Sequence, residues 1–312
     1  MHVLVATDGS KYGQWGLNWV AKLPFVTPPR VTALHVFDIH SYRASFLSPR
    51  EIRRIESYST RTLKKATQQL ALLKLRGTVR KEQGTVAPII LKGAPKRDGL
   101  LVVGSRGLDA LDRFMLGSVS TKLIQHATCP VLVVKGAAAP VRRIIIAIDG
   151  SDASATAMEF VLTRFQPDRS TGKSRRAPIH VSVVHVMAPL YLAPITITST
   201  IPGIKSPELT EADLRFIDQS VQKLIKAGFT AEPVYQLGNP AEEILKAAVK
   251  HDADLIVIGA QGLGAMARFL LGSVSTRVVQ HATCAVLVVR PQRKKHSKAL
   301  DRFPGVSSGV IG

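Results

Sequence analysis

Two Asp-Gly-Ser steps stand where chemistry is plausible. Asp8 follows the apolar run HVLVAT at 2–7, and Asp149 follows RIIIAI at 143–148. A carboxylate at the end of a buried strand can accept from a hydroxyl or ligate a hard cation. Two longer segments, GSRGLDALDRFMLGSVSTKLIQHATCPVLVVK from 104 and GAQGLGAMARFLLGSVSTRVVQHATCAVLVVR from 259, align without a gap. Both carry the pattern G-x2-G-x9-G-S, through Gly104, Gly107, Gly117 and Ser118, and through Gly259, Gly262, Gly272 and Ser273. Each last glycine precedes a helix-forming run, and Ser118 and Ser273 read as its N-caps. Exposed amide groups and the positive end of a helix dipole at such a step suit a phosphate. A branched side chain at Gly117 or Gly272 is expected to strain the turn.

Other chemistries find little support. No G-x4-G-K-[S/T] loop is present, and neither GSVSTK nor GLGAMA completes a dinucleotide or P-loop motif. No Ser-His-Asp set or His/Cys metal cluster falls on one site, and no general base beside a γ-phosphate can be named. Any catalysis is expected to be slow. His35 and His185 read as core residues beside the pocket. Cys129 and Cys284 hold equivalent places in the two segments and read as small core fillers, as in a reducing compartment.

The elements that position these residues occur twice. HVLVATDGS at 2–10 answers RIIIAIDGS at 143–151, and VTALHVFD at 31–38 answers VSVVHVMA at 181–188. The first copy reads as strands at 2–7, 31–38, 78–86, 100–104 and 131–135, with helices at 11–22, 48–76, 88–97 and 118–127. The second reads as strands at 143–148, 179–187, 230–237, 254–259 and 286–290, with helices at 153–165, 206–228, 240–251 and 273–282. Continuously apolar strands such as LLVVG, LIVIG and VLVV predict parallel sheets buried on both faces. Strand-helix alternation predicts two doubly wound α/β domains, at 1–136 and 142–291. Gly93, Pro95 and Gly99 weaken the third helix of the first copy, so the second copy promises the better-supported site. The polar stretch 167–178 reads as a mobile loop, and 292–312 as a basic disordered tail. The valine-rich strands Val131–Val134 and Val286–Val289 would be exposed apolar edges, and are expected to pair with each other across the domain boundary, with a homodimer of whole chains beyond that.

Composition bounds the rest. The chain of 312 residues has 46% hydrophobic residues and a formal charge of +20, from 42 basic and 22 acidic residues. Such an excess favours polyanions. Its densest folded stretch, 50–81, reads as an amphipathic helix with a solvated basic face. Aromatic residues make up only 5% and no zinc-finger or RNA-binding aromatic set occurs, so a nucleic-acid scaffold is disfavoured. The opening apolar run is too short for a signal peptide, and no segment reaches membrane-span length. A soluble, cytoplasmic protein is expected.

At these residues the chain resembles the universal stress protein family, in tandem over nearly all of 1–290, and in particular its ATP-binding branch. The resemblance implies two five-stranded sheets of adenine nucleotide α-hydrolase-like order, 3-2-1-4-5. It implies that Asp8 and Asp149 contact ribose or a bound Mg2+, and that the backbone of Val36 and Val186 meets adenine. It makes Gly104, Gly107, Gly117, Ser118 and Val119 one ribose-phosphate cradle, and Gly259, Gly262, Gly272, Ser273 and Val274 the other. Many members have proline two residues before the aspartate, whereas this chain has Ala6 and Ala147. The implied function is ATP-dependent regulation in stress physiology, through conformation or an unidentified protein partner. A slow ATPase or phosphotransferase is the alternative, and a basic nucleic-acid scaffold a second one.

Overall fold

The first copy runs β1 (His2–Ala6), α1 (Lys11–Lys22), β2 (Arg30–Phe37), α2 (Pro49–Leu72), β3 (Gly77–Gln83), α3 (Val86–Gly93), β4 (Gly99–Gly104), α4 (Ser118–His126) and β5 (Val131–Val134). The second runs β6 (Arg143–Ala147), α5 (Asp152–Arg164), β7 (His180–Met187), α6 (Glu211–Lys226), β8 (Thr230–Leu237), α7 (Pro240–Lys250), β9 (Leu255–Gly259), α8 (Ser273–His281) and β10 (Ala285–Val289). These elements come from a computed structural model that describes residues 1–38, 48–96, 99–107, 116–167, 178–187, 211–262 and 271–290. The expected loop at 167–178 lies almost wholly outside them, and so does the expected tail at 292–312.

All ten strands join one sheet, ordered β3-β2-β1-β4-β5-β10-β9-β6-β7-β8. Each half has the order 3-2-1-4-5 and is parallel throughout. The halves meet at an antiparallel pair, β5 with β10, in the register Val131↔Val288, Leu132↔Leu287 and Val133↔Val286. This pairing buries two valine-rich edges that water would otherwise meet. The outer edge strand β3 needs no such cover, because it carries Arg80, Lys81 and Glu82.

The period of two divides each strand between two cores. Val3, Val5, Leu132, Val134, Ile144 and Ile146 face one core, closed by α1, α2, α5 and α6. Leu4, Val131, Val133, Ile145, Val286 and Val288 face the other, closed by α3, α4, α7 and α8. Both cores run through both copies, so apolar packing as well as hydrogen bonding crosses the boundary.

The third helix of the first copy differs from the expected 88–97. It spans Val86–Gly93, eight residues against eleven in its counterpart α7. Pro88 lies in the first turn, where a missing N–H costs the helix nothing, and Gly93 followed by Pro95 ends it. In α7, Asn239 caps by accepting from the amides of Ala241 and Glu242.

Candidate functional site

The order 3-2-1-4-5 places a crevice beyond the carboxyl ends of β1 and β4, and another beyond β6 and β9, where the strand order reverses. In the first, Ser10 N–H donates to Asp8 Oδ1 at 3.0 Å, and Tyr58 Oη donates to the Asp8 carbonyl at 2.8 Å. In the second, Asp149 Oδ1 accepts from Ser151 N at 3.0 Å and from Ser151 Oγ at 2.6 Å. The following glycines, Gly9 and Gly150, have φ of +84° and +80°, which side chains rarely adopt. That turn aims each aspartate across the strand ends at the glycine loop. A Cβ on Gly107 would stand 2.8 Å from Asp8 Oδ2, and one on Gly262 2.5 Å from Asp149 Oδ2.

The last glycine of each pattern has another role. Gly117 and Gly272 have φ of −63° and −64°, and the nearest atoms to an added Cβ are 3.5 and 3.4 Å away. The strained turn expected there is absent. These glycines are themselves the N-caps, and Ser118 and Ser273 are the first helical residues, contrary to the capping role expected of the serines. No side chain caps either helix, so the first-turn amides of Ser118–Val119 and Ser273–Val274 keep their donors for something else. The helices that follow the two aspartates are different. Ser10 accepts from Gly13 N in α1, and Ser151 from Ser154 N in α5. Of the four helix N-termini that follow β1, β4, β6 and β9, the two with glycine caps are open to an anion.

Serines that sequence reasoning missed fix these two helices. Ser120 Oγ donates to the Gly104 carbonyl at 2.6 Å, and Ser275 Oγ to that of Gly259 at 2.7 Å. Gly117 N–H donates to Ser105 O, and Gly272 N–H to Ala260 O, both at 2.8 Å. Their signal was the repeated SVS of both segments.

Val36 and Val186 present backbone. Thr7 N donates to Leu34 O, and Gly84 N donates to Phe37 O on the opposite side. Alternation along β2 therefore turns the Val36 amide and carbonyl towards β1, which has already ended. Ile148 N to Val184 O and Gly238 N to Met187 O give Val186 the same aspect. His35 is buried, with Nδ1 2.9 Å from Thr7 O and Nε2 3.1 Å from Ser59 Oγ. Burial holds it below its ordinary pKa, so it is a neutral strut between strand and helix. His185 Nδ1 meets Ile148 O at 3.0 Å in the same way. Burial raises both cysteine thiols to about 11, which makes them inert fillers.

The first crevice has a volume of about 940 Å³ and the second about 360 Å³. The expected site residues that line the first are Asp8, Val36, Gly104, Gly107, Gly117, Ser118 and Val119. Those that line the second are Asp149, Val186, Gly259, Gly262, Gly272, Ser273 and Val274. The basic face of α2 is exposed as expected, and Arg50, Arg53, Arg54 and Arg61 on it also border the first crevice, together with Arg106. Among the described residues no group of three or more His, Cys, Asp or Glu could hold a metal ion. One carboxylate per crevice, with one oxygen engaged by the turn, still suits a magnesium ion held chiefly by phosphates.

The family model described as the Universal stress protein family matches residues 1–135 and again 140–290. A universal stress protein of Mycolicibacterium smegmatis is 29% identical over 93% of this chain and 97% of its own length. The crystal structure of a universal stress protein from Archaeoglobus fulgidus covers 93% of this chain and 96% of its own, with 20% identity and a TM-score of 0.66. One from Arabidopsis thaliana, solved with AMP bound, covers 51% of this chain and 97% of its own, with 18% identity and a TM-score of 0.33. The chain belongs to the universal stress protein family, as a tandem of two domains.

Proposed function

We propose that this member of the universal stress protein family binds an adenine nucleotide in each copy and reports its presence through conformation or choice of partner. The observation that carries this reading is the pair of open helix N-termini, α4 and α8, each facing an aspartate across a crevice at the strand-order switch. The first-turn amides of Ser118–Val119 and Ser273–Val274 would take the phosphates. Asp8 and Asp149 would take ribose hydroxyls, or one coordination position of Mg2+ whose other ligands are phosphate and water. The backbone edges of Val36 and Val186 would take the adenine, since a base needs one donor and one acceptor side by side.

Regulation is favoured over catalysis because each aspartate already spends one oxygen on its own turn. His35 spends both ring nitrogens on the scaffold. His35 is therefore not placed to activate water. Among the described residues no helix is long and apolar enough to cross a membrane. Isothermal titration with ATP in the presence of Mg2+, with GTP and duplex DNA as comparisons, tests the reading. Saturable ATP binding that outlasts moderate salt is expected. Steeply salt-dependent DNA binding without saturable ATP binding would sink it in favour of a basic scaffold.

A further inference from the structure

The two crevices differ most where a phosphate tail would extend. The face of α2 above the first crevice carries Arg50, Arg53 and Arg54, with Arg61 two turns on. Helical spacing puts them on one stripe. No ion pair joins any of the four to a carboxylate of the described residues. The described lining of the second crevice contains no lysine or arginine. Gln261 takes the place of Arg106, 155 positions on.

The sequence leading into α6 repeats the contrast. SPREIRRIE at 48–56 has three arginines, whereas at the offset of 154 that the helix ends give, Arg50, Arg53 and Arg54 correspond in sequence to Ile204, Pro207 and Glu208. The ends of the two helices match through Leu75 N to Leu70 O and Phe229 N to Leu224 O, which makes Arg215 the counterpart of Arg61. Arg215 is paired with Glu211 at 3.0 Å.

We infer that the two sites discriminate by phosphate number. The first selects the triphosphate over the monophosphate through the α2 arginines. The second binds through base, ribose and the nearest phosphate, and is nearly indifferent to the rest. This rests on the nucleotide reading above. A chain so built registers the proportion of triphosphate to monophosphate, because one site follows it and the other provides a reference.

The test closes one crevice at a time in the full chain and titrates ATP and AMP at moderate salt. With the second site closed by Gly262→Val, the remaining site should prefer ATP by about thirtyfold or more, and with the first closed by Gly107→Val, by about threefold or less. Replacing Arg50, Arg53 and Arg54 by alanine should cut the first preference about tenfold while AMP affinity changes less than about twofold. Lysines at the three positions should restore most of it. The arginine variants alone, in the otherwise unaltered chain, should remove the tight phase of the ATP isotherm and leave AMP binding unchanged, which keeps the test independent of the glycine variants. Equal preferences at the two sites, or a preference that survives loss of the three arginines, overturns the inference and leaves nucleotide binding standing. Absence of saturable binding of either nucleotide to the unaltered chain overturns the nucleotide reading itself.

Discussion

The glycines of each pattern are not interchangeable. Gly107 and Gly262 exist to let an aspartate oxygen approach, whereas Gly117 and Gly272 hold a backbone conformation open to any residue. Gly262→Ala should therefore displace the Asp149 carboxylate and weaken nucleotide binding at the second site more than Gly272→Ala does. Gly272→Ala should leave the fold within about 1 kcal/mol of the parent. Titration and urea unfolding of the two variants check the order, and the reverse ranking would mean that phosphate rather than aspartate sets the geometry. Sequence spacing made both aspartates and all six glycines legible as one locus. It could not separate their roles, because a repeated glycine looks alike whether it serves conformation, close approach or a bare cap. Arg50, Arg53 and Arg54 were legible as a helical stripe, but the direction it faces depends on how α2 lies across β2 and β3.

At the scale of elements, the helices that follow β1 and β6 are capped by serine, and those that follow β4 and β9 by glycine. Ser151→Ala should cost about 0.5–2 kcal/mol of stability, the usual loss of an N-cap. Ser273→Ala, one position inside its helix, should cost less than about 0.5 kcal/mol. Chemical denaturation of both variants without nucleotide decides; equal losses would restore Ser273 to the capping role. Strand-helix alternation was readable from hydrophobic period and length, and the strand order entered through family resemblance. Helix boundaries were less readable where two rules compete. In α3 the tolerance of a first turn for Pro88 moved the start back to Val86, and Gly93 with Pro95 brought the end forward.

The whole molecule is held as one sheet by reciprocal contacts across its middle. Lys135 Nζ donates to Gln280 O at the end of α8, and Arg290 Nη2 to Ile124 O and Gln125 O at the end of α4. Each copy thus places a cation at the negative end of a helix in the other. Burial lowers the Lys135 ammonium to about 8 from an ordinary 10.5. The unfolded chain then binds more protons than the folded one between those values. Stability attributable to this residue is depressed below pH 8 and recovers as pH rises towards 10.5. Denaturation of the parent and Lys135→Met from pH 7 to 10 should show the parent gaining on the variant above pH 8; parallel profiles would contradict a buried ammonium. The pairing of β5 with β10 was legible from the valine runs, but the cross-over of Lys135 and Arg290 was not, since it depends on the antiparallel docking of two copies. The central claim is that each copy holds one adenine nucleotide. Equilibrium dialysis with labelled ATP should find two bound per parent chain, one in Gly107→Val or Gly262→Val, and none in the double variant. ATP bound undiminished by the double variant would contradict it.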